Sequence, residues 1–338
     1  MQVPAFRAAG LEVVALAGHR LEKTRETAGR LNIARFFEDW RELVEDNQVD
    51  LVSIVTPPSE HADIAVAALQ NGKHVLSEKP TALNAAEAER MLSVARQHAT
   101  QLALIDHELR FLPAWREAQR RFHEIGALRN AEIRYSSASR GDPSRPWNWW
   151  SDKSRGGGVL GAVGSHAVDS MRYFAGEIEA ARGYLHTFIQ ERSSEDGPMR
   201  VSSDDFCHLD LRMVNGAFAS LHMDVVSTRD EPTSWIFHGE QGGIRLIDDR
   251  FEMAPRGGSW QEQDCEKSDA MEGDSSGGRF GTGTIHMARA IKSALDDGDR
   301  SALKLAATFE DGLQQQRTLD AARESHRQGG GWVLVEQT

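Results

Sequence analysis

Short apolar runs alternate with helical stretches through the first hundred residues. Leu11 to Ala17 is such a run, followed by helical spacing over about 21–31 and a short helix over Asp39 to Glu45. Val49 to Val55 is a second apolar run, ending at Thr56-Pro57-Pro58. Ser59 is placed to cap a helix over 60–71 that stops at Asn71-Gly72. Lys73 to Leu76 and Leu102 to Asp106 read as further strands, with a helix over Ala85 to Gln97 between them. Residues before Gly10 read as the tail of a helix. Continuous apolar strands alternating with helices predict a parallel, doubly wound sheet, which binds ligands at the carboxyl ends of its strands.

The pattern changes near residue 109. A helix over about 113–124 is followed by alternating runs at 128–137, 180–190, 204–213, 216–226, 234–239 and 243–247. Tight turns such as Val214-Asn215-Gly216 join some of them, predicting an open, mostly antiparallel sheet. Residues 255–283 read as a long loop. Helices over about 284–296 and 301–325 and a strand over Trp332 to Val335 close the chain. The reading is an α/β protein in two parts, 1–108 and 109–338, and no internal repeat is evident.

Composition narrows the partners. The net charge is −12, which argues against phosphate-neutralising nucleic-acid binding and against docking on anionic lipid. No apolar stretch approaches the ~18 residues of a membrane span. The chain opens without a signal peptide, and two distant cysteines, Cys207 and Cys265, give no disulfide framework. A reduced, cytoplasmic setting is the expectation. Thirteen histidines without metal-ligand spacing predict no metal site.

Two segments carry the chemistry. Thr56-Pro57-Pro58-Ser59-Glu60-His61 and Ser77-Glu78-Lys79-Pro80 both follow parallel strands, at the ligand edge. Proline restricts Lys79 to extended backbone, and a lysine fixed there can hydrogen-bond a substrate hydroxyl. A surface ion pair at a turn is the competing reading. The second segment runs Gly156-Gly157-Gly158-Val159-Leu160-Gly161-Ala162-Val163-Gly164-Ser165-His166-Ala167-Val168-Asp169. Its glycines allow close approach of backbone to a ligand, Ser165 suits an N-cap, and a neutral His166 in the first helical turn is a proton acceptor. A purely structural histidine is the alternative.

The pieces TPPSEH, AALQNGKHVLSEKP, HELRFLPAW and GGGVLGAVGSHAVD, in this order and spacing, resemble the glucose–fructose oxidoreductase/inositol dehydrogenase/MocA family over nearly the whole chain. The resemblance implies a Rossmann domain binding NAD(P). It implies a second domain that shapes a pocket for a sugar, polyol or similar compound and commonly builds the oligomer, here a homodimer or homotetramer. On the same resemblance Lys79 holds the reacting oxygen and His166 assists proton transfer. Gly18, His19, Arg20, Thr56, Pro57, His61, Glu78 and Lys79 are then candidate cofactor contacts. Arg110, Trp147, Trp149 and Asp169 are candidate substrate contacts. Trp147, Trp149 and Trp150 could stack on sugar faces or simply fill a core.

Two departures stand out. Much of the family carries an aspartate four residues before the histidine, where this chain has Ala162. The family also begins with a strand and a GxGxxG turn cradling the pyrophosphate, and this sequence picks up inside the following helix. The Rossmann sheet is therefore expected to lack its first, central strand, leaving two neighbours unpaired, and the chain as written is expected to bind the cofactor poorly. After the Leu11–Ala17 strand stands Gly18-His19-Arg20 rather than an acid, which favours NADP over NAD. The expected activity is NADP(or NAD)-dependent hydride transfer at a carbinol or carbonyl carbon. The alternative is a non-catalytic or truncated nucleotide- or sugar-binding protein of the same fold.

Overall fold

A computed structural model describes residues 2–265 and 278–337. Its first layer follows the predicted alternation. Helix α1 (Gln2–Ala8) leads to β1 (Ala15–Ala17), α2 (Leu21–Arg30), β2 (Arg35–Phe37) and α3 (Trp40–Glu45). Then come β3 (Leu51–Ile54), α4 (His61–Gln70), β4 (His74–Ser77), α5 (Ala85–Gln97) and β5 (Ala103–Ile105). Ser59 is not the cap of α4. It lies in a 3₁₀ turn, Pro58–Glu60, and Glu60 precedes the helix without capping it through its side chain. Asn84 caps α5 by accepting from the Glu87 backbone N–H.

The parallel sheet is broken where the sequence predicts. Strands β1 and β2 pair only with each other, and β3, β4 and β5 pair in parallel as a separate group. Between β1 and β3 lies a cavity of roughly 1020 Å³, bordered by Leu11–Ala17 on one side and Leu51–Thr56 on the other.

The second layer begins with α6 (Pro113–Arg121), β6 (Leu128–Ser136), α7 (Ser165–Ala175) and β7 (Ile178–His186). A projecting hairpin of β8 (Glu191–Ser194) and β9 (Gly197–Arg200) follows. Then come β10 (Phe206–Met213), β11 (Phe218–Asp224), β12 (Ser234–Gly239) and β13 (Gly242–Ile247). Strand β14 (Arg250–Pro255) falls in a stretch the pattern left unassigned, β15 (Gln261–Glu262) lies within the segment expected as loop, and α8 (Gly278–Asp296) starts earlier than expected. Residues 266–277 of that segment lie outside the described residues. The chain ends with β16 (Ala307–Thr308), α9 (Phe309–Arg327) and β17 (Val333–Leu334). Nine strands form one sheet in the order β15-β14-β13-β12-β6-β11-β10-β7-β17, antiparallel except for β6 with β11.

The apolar alternation Ala217, Ala219, Leu221, Met223 faces inward, in one buried cluster with Val168 and Met171 of α7 and Leu319 and Ala322 of α9. The outward positions carry Phe218, Ser220 and His222, beside exposed Tyr184.

The division at residue 108 is not clean in space. Strand β16 pairs antiparallel with β5, and α8 sends Met287, Ala288 and Ile291 into one cluster with Phe6, Leu76 and Leu104. Burial of those apolar faces draws α8 and β16 back onto the first layer. Among the described residues no helix is long and apolar enough to cross a membrane.

Candidate functional site

A second cavity, roughly 290 Å³, lies where the two layers meet. Lys79, Ala162 and His166 face it from one side. Tyr135, Met223 and Trp235 of the large sheet and Phe280 of α8 form its apolar wall. Glu78 and Glu108 line both this cavity and the larger one, so the two meet at these carboxyl groups.

Lys79 stands just beyond the end of β4, where the chain leaves the sheet. Its Nζ donates to the Ala162 carbonyl oxygen at 2.8 Å, tying β4 to the segment before α7. That segment is not a free helix start. Leu160–Gly164 is a π-helical turn running directly into α7, and Gly164, already helical, precedes Ser165. Ser165 is therefore no N-cap, and His166 sits in continuous helix rather than on exposed N–H groups. The π turn is a known device for presenting a backbone group at a site. Here the backbone oxygen of residue 162 meets Lys79 where the resemblance leads one to expect a side-chain carboxylate.

His166 is 8 % exposed, and its Nδ1 is buried without a protein partner among the described residues. Burial holds its pKa well below the ordinary histidine value, and Lys79 adds to this by charge repulsion. The ring is therefore a neutral imidazole facing the cavity. It packs edge-on against His107, with centroids 5.4 Å apart.

His107 is fixed in turn. Gln315 donates its amide N–H to His107 Nε2 at 2.6 Å, which leaves the proton on Nδ1, 3.7 Å from Asp169 Oδ2. Burial pushes the His107 pKa down to about 4, so it too is neutral.

Arg110 and Asp169 were expected to face substrate, but neither lines a cavity. They turn to each other in a bidentate pair, Nε to Oδ2 at 2.9 Å and Nη2 to Oδ1 at 2.6 Å, both nearly fully buried. Two desolvated opposite charges satisfy each other far better than either would satisfy an uncharged ligand. Their place is behind His107, supporting the site from beneath.

Trp147 and Trp149 do not line the cavity either. Trp147 donates Nε1–H to the Arg200 carbonyl and its backbone joins Ser193, clasping the β8–β9 hairpin. Trp150 lies under the Arg140 guanidinium at 3.9 Å. The glycine run serves packing rather than ligand approach: a Cβ on Gly157 would lie 2.2 Å from the Trp150 carbonyl oxygen, and Gly158, at φ +114°, abuts the Asp204 carboxylate.

Of the cofactor candidates, Thr56 and Glu78 line the large cavity, and Thr56 Oγ1 is buried without a partner among the described residues. Gly18, His19 and Arg20 follow the end of β1 without lining it. His19 Nε2 meets Glu60 at 2.9 Å, and Arg20 is exposed. Pro57 lies in the same turn as Thr56. His61 is buried beneath that turn, its ring nitrogens 3.0 and 2.9 Å from the carbonyls of Pro80 and Thr56. It sits between two ligand-edge turns, donating to one of these two carbonyls, and does not line the cavity. Burial lowers its pKa.

Sequence reasoning missed Glu108, Tyr135, Trp235 and Phe280. Glu108 had a usable signal, since it follows a parallel strand as Glu78 does. The wall residues come from distant strands and had none.

These features have counterparts in known proteins. Residues 1–105 match the profile of the oxidoreductase family with an NAD-binding Rossmann fold, and residues 116–245 match the GFO/IDH/MocA C-terminal domain. Glucose-fructose oxidoreductase domain-containing protein 2 of Xenopus tropicalis is 30% identical, covering 98% of this chain and 90% of its own. The chain belongs to the GFO/IDH/MocA oxidoreductase family. Levoglucosan dehydrogenase of Pseudarthrobacter phenanthrenivorans is 30% identical over 66% of this chain and 62% of its own. A solved levoglucosan dehydrogenase in complex with NADH and L-sorbose superposes with a TM-score of 0.88 at 25% identity, covering 100% of this chain and 95% of that one. An inositol dehydrogenase homologue from Azotobacter vinelandii, at 19% identity, shares the fold with a TM-score of 0.81.

The residues present fit a nicotinamide dinucleotide at the large cavity in part. Its volume is at the upper end for ligand sites, and it runs from the end of β1 to Glu78 beside Lys79. Thr56 Oγ1 supplies an unsatisfied polar atom toward it.

Proposed function

We propose that this chain transfers a hydride between NAD(P) and a carbinol or carbonyl carbon of a sugar, polyol or similar small molecule. The observation that carries the reading is the cavity where Lys79 and His166 converge on an aromatic wall, meeting a dinucleotide-sized cavity at Glu78 and Glu108. Thr56 and Glu78 would hold the cofactor, which supplies or accepts the hydride when bound. An aromatic and methionine wall suits the apolar face of a sugar ring, with Lys79 and His166 left for its hydroxyls.

Lys79 hydrogen-bonds the reacting oxygen, using N–H donors not engaged by Ala162. As C–O changes between carbinol and carbonyl, the ammonium stabilises negative charge on that oxygen and exchanges a proton with it. His166, neutral and with Nδ1 unpartnered, orients the same or a neighbouring hydroxyl. The Arg110–Asp169 pair and Gln315 hold His107, and His107 holds the His166 ring in place.

NADP is the preferred nucleotide in this reading, because residues 18–20 offer Arg20 and no acid to the 2′ position. A homodimer or homotetramer formed over the Tyr184, Phe188 and Phe218 face, in a reducing cytoplasmic compartment, belongs to the same proposal. Relatives named for levoglucosan and inositol support the substrate class.

The test is titration with NADPH and NADH by tryptophan quenching, then assay of levoglucosan and myo-inositol oxidation. Turnover with NADP⁺ favoured over NAD⁺ is expected. Binding of neither nucleotide would sink the reading. Ala162 favours one other reading, a non-catalytic sugar- or nucleotide-binding protein, which predicts binding without turnover.

A further inference from the structure

We propose that Glu108 holds the proton that Lys79 exchanges with the substrate oxygen, standing in for the side-chain carboxylate that position 162 lacks; the proposal rests on the carbinol–carbonyl reading above. Glu108 opens the 3₁₀ turn Glu108–Phe111 just past β5, on the same sheet edge as Glu78 and Lys79 after β4. Its backbone is clamped, since a Cβ on Gly283 of α8 would lie 2.4 Å from its carbonyl oxygen. The side chain lines both cavities, so it stands at the junction that reacting groups would share.

Its surroundings favour a retained proton. Glu108 is 6 % exposed, so its carboxyl group is largely withdrawn from water. The charged groups that act on it are Asp106 on its own segment and Glu78 and Lys79 on the β4 turn, while α8 meets it with Gly283. Three carboxyl groups thus share one ammonium in a desolvated pocket, and they cannot all ionise together. Burial pushes the Glu108 carboxyl well up, with Asp106 and Glu78 adding to the effect.

Lys79 has donors to spare. Its Nζ gives one hydrogen bond to a backbone oxygen, and an ammonium has three N–H groups. In the reducing direction an N–H bond of Lys79 breaks as the substrate O–H forms. The O–H bond of Glu108 then breaks as the Lys79 N–H is restored, leaving a carboxylate. Oxidation runs the same transfers backward.

The experiment pairs Glu108→Gln, which keeps the shape, with the double variant Glu108→Gln/Ala162→Asp. Infrared difference spectra of the full chain, with and without NADH, should show a protonated carboxyl band near neutral pH that Glu108→Gln removes. With levoglucosan and myo-inositol as probes, Glu108→Gln should lower kcat on the order of 100-fold and flatten its pH profile. KM for the nucleotide should move less than about threefold, and Ala162→Asp should restore at least about tenfold. Identical infrared spectra, or kcat within about threefold of wild type, would overturn the assignment. A wild type that turns over neither probe would sink the carbinol reading and the transfer with it, while the infrared band still decides whether Glu108 carries a proton.

Discussion

Replacing Arg110 by Met tests the support beneath the site. The substitution keeps most of the side chain's bulk and strands the Asp169 carboxylate, which is almost fully buried and is met from its other side by the His107 ring at 3.7 Å. Breaking a buried pair in this way costs about 3–5 kcal/mol. The protein has one escape, which is to protonate the stranded carboxyl. At pH 7 that lies about three units above an ordinary aspartate pKa, so at about 1.4 kcal/mol per unit the escape caps the loss near ~4 kcal/mol. At pH 5 the cap falls to ~1.5 kcal/mol. Urea unfolding of Arg110→Met at both pH values should therefore show a loss of about 3–4 kcal/mol at neutral pH and less than half of that at pH 5. A penalty equal at the two pH values, or below about 1 kcal/mol at pH 7, would refute the account of Arg110 and Asp169 as a desolvated pair.

Four further outcomes follow from the geometry. Lys79→Met should cut kcat by about 10³-fold or more while nucleotide binding, read by fluorescence titration, stays within a few-fold. Burial, aided by Glu78, raises the Asp106 pKa to about 7. Because this exceeds the unfolded value, the native state binds the extra proton, and stability falls as pH rises from about 4 to about 7. Asp106→Asn should be more stable than wild type at pH ~8 in urea, and a steeper pH dependence in the variant would contradict the sign. Gly157→Ala drives a methyl group into the Trp150 carbonyl oxygen and should lower stability by about 2 kcal/mol or more, seen as a depressed Tm. On the proposed contact face, Tyr184→Asp with Phe218→Asp should lower the mass read by light scattering toward that of a single chain, and an unchanged mass would remove that face as the contact.

Local patterns were legible where one short segment decides the outcome. The helix over Ala85–Gln97 carries its cap and its apolar face within its own residues, so its limits are those read from the sequence. Strand β2 escaped notice because Arg35-Phe36-Phe37 is too short to display a period, and its pairing with β1 defines it. Strand β14 escaped notice because Arg250 and Glu252 interrupt its apolar run, yet Glu252 pairs across to Arg245.

Lys79 and His166 stand out as candidates because their spacing to proline and glycine is local, and both line the smaller cavity. Arg110 and Asp169 were misread for the opposite reason. Each looks available in sequence, and nothing in either segment reveals that a partner 59 residues away will neutralise it. The use of a backbone oxygen at Ala162 is likewise invisible, because every residue has one.

The return of the chain's end onto its beginning bears on how ligands come and go. Strand β16 is hydrogen-bonded to β5, and α9, which starts one residue later, lies against both α5 and β7. A clamshell motion would have to peel α9 from one of its two neighbours or strip β16 from the sheet, each with loss of buried contacts. The mouth of the junction is therefore framed by two layers that stay joined, and Trp235 of its wall is itself held by the bond from its Nε1–H to Ser170 Oγ.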